Sequence, residues 1–141
     1  MRRTLLISLI LFACVAPAAA EVRILGSPGG EVGPYLRLFA ALRQSGERIV
    51  IDGPCFSACT LVLSIVPNER ICVTRRAVLG FHAARMVDRH GRVSPAREAT
   101  RVVAASYPPA VREWIRRNGG LTSRPIYLRG RALAAIYPRC R

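Results

Sequence analysis

Short apolar blocks alternate with polar, glycine- and proline-bearing breaks from residue 21 onward, and their lengths set the predicted elements. Val22 to Leu25 is a mostly apolar run that leads into Ser27-Pro28-Gly29-Gly30, so it reads as a strand ending in a glycine-rich turn. Glu31 to Ser45 then carries Val32, Leu36, Phe39 and Leu42 at three- and four-residue spacing, an amphipathic helix stopped by Gly46. Arg48 to Asp52 is a second strand, and a helix entered at Ser57 runs to about Val66, where Pro67-Asn68 ends it. Arg70 to Thr74 and Ala77 to His82 are two further short strands. Strands alternating with helices imply βαβ units, a parallel sheet and right-handed crossovers, hence a small α/β domain.

The second half is more polar. Arg85 to Arg92 reads as a polar loop turning at His90-Gly91, and Ser94-Pro95 as the cap and first-turn proline of a helix that Tyr107-Pro108-Pro109 interrupts. Ala110 to Asn118 is a second helix, closed by Gly119-Gly120. The tail from Leu121 to Arg141 carries weaker signals, compatible with one strand and a short helix ending near Cys140.

The first twenty residues have a different logic. Arg2 and Arg3 precede an apolar stretch from Leu5 to Val15, too short to span a bilayer, and Ala18-Ala19-Ala20 is a small-residue cleavage site. Residues 1–20 therefore read as a secretory signal peptide cut after Ala20, with residues 21–141 as one domain of modest core. Leu11-Phe12-Ala13-Cys14 approximates a lipobox, which leaves a lipoprotein anchored at Cys14 as the minor alternative; the bulky Phe12 speaks against it. Cys55, Cys59, Cys72 and Cys140 remain after cleavage, and an even number in an exported chain of this size reads as disulfides, with three pairings open. A zinc site from Cys55, Cys59, His82 and His90 is the weaker alternative, because the spacing fits no zinc pattern; neither metal nor cofactor is expected.

Charge narrows the chemistry. All 22 basic residues are arginine, so a Ser-Lys dyad is excluded. The formal charge of +14 becomes +12 once Arg2 and Arg3 are removed, a surface that attracts anionic lipids, lipopolysaccharide or acidic peptides of a cell envelope. The arginines are spread along the chain without interleaved aromatic residues, which argues against a specific nucleic-acid partner.

Three segments in fixed order carry the candidate chemistry: Ser27-Pro28-Gly29-Gly30, Gly53-Pro54-Cys55-Phe56-Ser57-Ala58-Cys59 and Gly80-Phe81-His82. Ser57 falls where a strand turns into a helix, a position at which the next backbone N–H can hold an oxyanion; His82 ends a strand and can serve as base. Taken singly, Ser57 is also a favoured helix N-cap and His82 an ordinary strand-end histidine. The ordered triple resembles the Clp protease proteolytic subunit and its crotonase-fold relatives, and within them a small secreted branch of bacterial periplasmic proteins with a Cys-x-Ser-Ala-Cys core and a C-terminal cysteine. The resemblance covers Val22 to Ala84 well and the remainder loosely.

What the resemblance implies is a truncated, disulfide-braced domain of that fold, with Ser57 as nucleophile, His82 as base, and the N–H groups of Gly29, Gly30 and Ala58 as oxyanion donors. It also implies homo-oligomers, since such relatives form rings or trimers. The chain departs from the pattern at the third triad member. Where the secreted branch has an acid near Arg131-Ala132-Leu133 this sequence has Ala132, and after His82 the acids are Asp88, Glu98 and Glu113, of which Asp88 and Glu113 are the substitutes to consider, beside a backbone carbonyl. Two functions from different classes follow: an envelope serine hydrolase acting on a peptide or ester, or an inactive binding or scaffold protein that keeps the fold and uses its basic surface.

Overall fold

A computed structural model describes residues 20–141, so the predicted signal peptide and Cys14 lie outside the described residues, apart from Ala20. Among the described residues, eight strands and five α-helices follow one another. They are β1 (Glu21–Ile24), α1 (Val32–Ser45), β2 (Arg48–Ile51), β3 (Pro54–Phe56), α2 (Val62–Ile65), β4 (Ile71–Val73), β5 (Val78–Phe81), β6 (Arg85–Val87), β7 (Val93–Pro95), α3 (Arg97–Ser106), α4 (Pro109–Arg117), β8 (Ile126–Arg129) and α5 (Gly130–Ala134). The first sheet, β1-β2-β4, is parallel throughout, as the alternation of strands and helices requires. In β2 and β4 the residues Ile49, Val50, Ile51, Ile71, Cys72 and Val73 are all buried, which is why these strands read as continuous apolar runs. Phe39 of α1 packs onto the same core, each such side chain contributing about 1.5–3 kcal/mol.

The single parallel sheet of the sequence reading is divided here. β3 pairs in parallel with β5, and β5 pairs antiparallel with β8, forming a second, mixed sheet. The strand that enters Ser57 is thus Pro54–Phe56 of this second sheet rather than the apolar run before it. Three residues headed by proline carry too little alternation to announce a strand.

Residues 85–95, read as a polar loop, form a hairpin in which β6 and β7 pair antiparallel. Asp88 makes its turn, accepting from the backbone N–H of His90 and Arg92 at 2.8 and 2.9 Å. Ser94 and Pro95 belong to β7, so the helix after them begins at Arg97 and has Ala96 as its cap. Tyr107 and Pro108 do end that helix, and α4 is closed by Gly119 and Gly120, both left-handed with φ of 95° and 75°.

Two devices hold the ends. Arg70 donates to the carbonyls of Leu42, Arg43 and Glu47 at 2.5–3.0 Å, filling the open acceptors at the end of α1. The tail runs beside β4, with Val73 N–H bonded to Pro138 O and Cys140 N–H to Val73 O, and the Cys72–Cys140 disulfide locks it there. The second bridge joins Cys55 to Cys59, so both pairs left open by the sequence are fixed. With both cysteines of the hypothetical zinc set joined to one another, no group of three or more ligating side chains among the described residues is arranged to hold a metal.

Candidate functional site

Ser57 stands out first by its backbone. Its φ of +53° makes it the one non-glycine residue among those described in the left-handed region. β3 ends at Phe56, the chain turns sharply at Ser57, and a 3-10 turn from Ser57 to Leu61 passes into α2. The early N–H groups of that turn, including Ala58, have no carbonyl behind them within the helix.

Several contacts force this turn. The Cys55–Cys59 disulfide closes around it. The Ser27-Pro28-Gly29-Gly30 turn is sewn to β3 by Ser27 N–H to Pro54 O at 2.8 Å and Phe56 N–H to Ser27 O at 3.0 Å. Gly29, with φ of +84°, comes so close that a Cβ there would lie 2.6 Å from both Phe56 O and Ser57 Cβ; only glycine fits. Underneath, Tyr107 Oη lies 2.6 Å from Thr60 Oγ1, which donates to Ser57 O at 2.6 Å. Burial pushes the Tyr107 phenol up to about 12, so it remains a protonated donor to Thr60 at any physiological pH. Thr60 and Tyr107 were not legible as site residues, because 47 positions separate them and no motif links them.

Strand register brings in the histidine. Phe56 is level with Gly80 in the parallel β3–β5 pair, so Ser57 and His82 leave the same end of adjacent strands. Both line one groove of about 840 Å³, together with Gly29, Gly30 and Ala58. They are not hydrogen-bonded to one another: His82 Nδ1 lies 2.7 Å from Ala83 O. A proton on Nδ1 donated to that carbonyl leaves the Nε2 lone pair free to accept one. Unliganded active sites often hold nucleophile and base looser than the reacting geometry.

The remaining sequence candidates are distributed otherwise. Gly29 N–H donates to Ser27 Oγ at 3.3 Å, and Ser27 Oγ in turn contacts Tyr35 Oη at 2.7 Å, which leaves Gly30 and Ala58 as the open donors. Asp88 is occupied in the hairpin turn and by Arg92, whose hydrogen bonds hold its carboxyl below the usual range. Glu113 is gripped by Arg116 and Arg117 on the surface of α4, which bring its carboxyl down to about 2. His82 is thus oriented by a backbone carbonyl, and the two acids are engaged with arginines. No family model matches this chain, and comparison with curated proteins found no match.

Proposed function

We propose that this protein is a serine hydrolase of the cell envelope, a peptidase or esterase built as a reduced form of the Clp-protease and crotonase architecture. The observation that carries the reading is Ser57, a non-glycine residue held at φ +53° on a strand-to-helix turn that shares a groove with His82. Strain at a polar residue that its surroundings over-determine is the mark of a site built for chemistry. The two disulfides suit an oxidising compartment, and no described helix is long and apolar enough to cross a membrane.

In this mechanism Ser57 Oγ attacks the substrate carbonyl as its proton passes to His82 Nε2. The tetrahedral oxyanion is held by the N–H groups of Gly30 and Ala58. The bond to the leaving group then breaks, and His82 returns the proton to the departing amine or alkoxide. Water repeats the sequence on the acyl-enzyme, with His82 as base. The carbonyl of Ala83 takes the orienting role that an acid has in a triad, which makes the site a dyad. The basic surface, with a formal charge of +14 over the full chain, favours anionic envelope partners.

The absence of a hydrogen bond between Ser57 and His82 favours the second reading, a binding or scaffold protein without turnover. A fluorophosphonate separates the two. Under oxidising conditions the wild type is expected to be labelled, Ser57→Ala to lose labelling, and His82→Ala to slow it at least a hundredfold, on the order of general-base losses. Asp88→Asn and Glu113→Gln are expected to label like the wild type. An unlabelled wild type beside a labelled control peptidase removes the hydrolase reading.

A further inference from the structure

The groove is chemically uneven. Its lining mixes polar side chains with the apolar Met86, Val87 and Val93 of the hairpin, which are 63, 67 and 60% exposed. Two formally charged residues line it, Arg85 and Glu31. Glu31 caps α1 beside the Gly29-Gly30 turn, on the oxyanion side, whereas Arg85 opens β6 three residues after the histidine.

Arg85 is the one arginine that lines the groove, and it has no carboxylate partner. Arg23, Arg76, Arg92, Arg101, Arg116 and Arg117 are all in ion pairs, and among the described residues Arg85 is in none. Its root is fixed. Ala83 N–H donates to Thr122 O at 2.8 Å, Ala84 N–H to Thr100 Oγ1 at 2.9 Å, and Ala96 N–H to Ala84 O at 3.0 Å. Three residues of chain span at most about 10–11 Å, so the root of Arg85 stays within that distance of His82, and both residues line the one groove.

We propose that Arg85 selects substrates whose leaving-group half carries an acidic group. This inference rests on the hydrolase reading. His82 must give its proton to the departing atom, so the half of the substrate beside it is the leaving group. An apolar body fills the hairpin side, and a carboxylate on that half meets a cation that has no other partner. Beside the Gly29-Gly30 turn Glu31 repels an anion, which sets the polarity of binding: acid toward His82, neutral or basic acyl half toward that turn.

Two esters with one acyl group and different leaving groups, 4-hydroxybenzoate and its uncharged amide, test this in the full mature protein. The ratio of their kcat/KM values in wild type against variants cancels their intrinsic difference in reactivity. Arg85→Gln is expected to lower the acid-to-amide ratio roughly three- to tenfold, Arg85→Glu further, and Arg85→Lys little. Raising the salt from about 0.01 to about 1 M, which shortens screening from about 30 to about 3 Å, is expected to shrink the wild-type preference. Labelling by a small uncharged fluorophosphonate is expected to be unchanged in all three variants. An unchanged ratio in Arg85→Gln, with labelling intact, overturns the role of Arg85 and leaves the hydrolase standing. A wild type that neither labels nor hydrolyses either ester removes both.

Discussion

At the scale of the residue, Ser57 concentrates the argument. A left-handed conformation at a residue with a Cβ costs roughly 1–2 kcal/mol, and here a disulfide, a close glycine and a buried hydroxyl chain all hold it in place. Glycine relieves that cost and alanine does not. Ser57→Gly is therefore expected to be more stable than Ser57→Ala by about 1 kcal/mol, although both lack the nucleophile. Thermal midpoints of the two variants, differing by about 4 °C for a domain of this size, measure it. Equal midpoints, or a more stable alanine variant, mean that the turn stores no strain.

Between elements, the two disulfides do different work. Cys72 and Cys140 are 68 positions apart and close the C-terminal half of the domain, from β4 to the tail, whereas Cys55 and Cys59 are 4 apart and close only the turn at Ser57. Chain-entropy scaling assigns about 4 kcal/mol to the long loop and about 2 kcal/mol to the short one. Cys72→Ser with Cys140→Ser is expected to lower stability strongly while the folded fraction still reacts with a fluorophosphonate at near the wild-type rate. Cys55→Ser with Cys59→Ser is expected to do the reverse, with a smaller loss of stability and a much slower reaction. Denaturant titration beside labelling kinetics decides it, and a common effect of both pairs on labelling contradicts the division. Sequence made these elements legible to unequal degrees. The buried runs Ile49–Ile51 and Ile71–Val73, the helix over Val32–Ser45 and the paired glycines after α4 carry strong local signals, and they stand where expected. β3 is too short to carry a period, the hairpin 85–95 is an exposed two-stranded ribbon whose charged turn masks the short strands on either side, and β8 belongs to a sheet completed from far along the chain. The Ser57–His82 juxtaposition was legible only through the order of three motifs, and the Thr60–Tyr107 support was not, since it depends on tertiary contact alone.

For the molecule as a whole, the decisive charge is Asp52. It is 6% exposed at the end of β2, and its backbone N–H is bonded to Ile24 O of β1. Its carboxylate receives Arg76 at 3.1 and 2.5 Å and Arg23 at 3.2 Å, joining β1, β2 and the segment between β4 and β5. The hydrogen bonds from Arg76, then from Thr74, bring its pKa down to about 2, against burial, which pushes the other way. A depressed native pKa means that the unfolded chain binds the proton more readily, so the stabilisation is fully present above the ordinary value of about 3.9 and is lost as pH falls through about 2. Glu113 and Asp88 act in the same direction, and the self-repulsion of a chain with a formal charge of +14 grows as its 8 acids are protonated. Asp52→Asn removes the largest shared anchor but leaves those other acids in place. It is expected to lower the thermal midpoint at pH 7 and to flatten, without abolishing, the fall of the midpoint between about pH 4 and about pH 2. Midpoints of wild type and variant across that range give the difference directly, and parallel curves mean that Asp52 keeps an ordinary pKa and contributes nothing to the acid sensitivity of the fold.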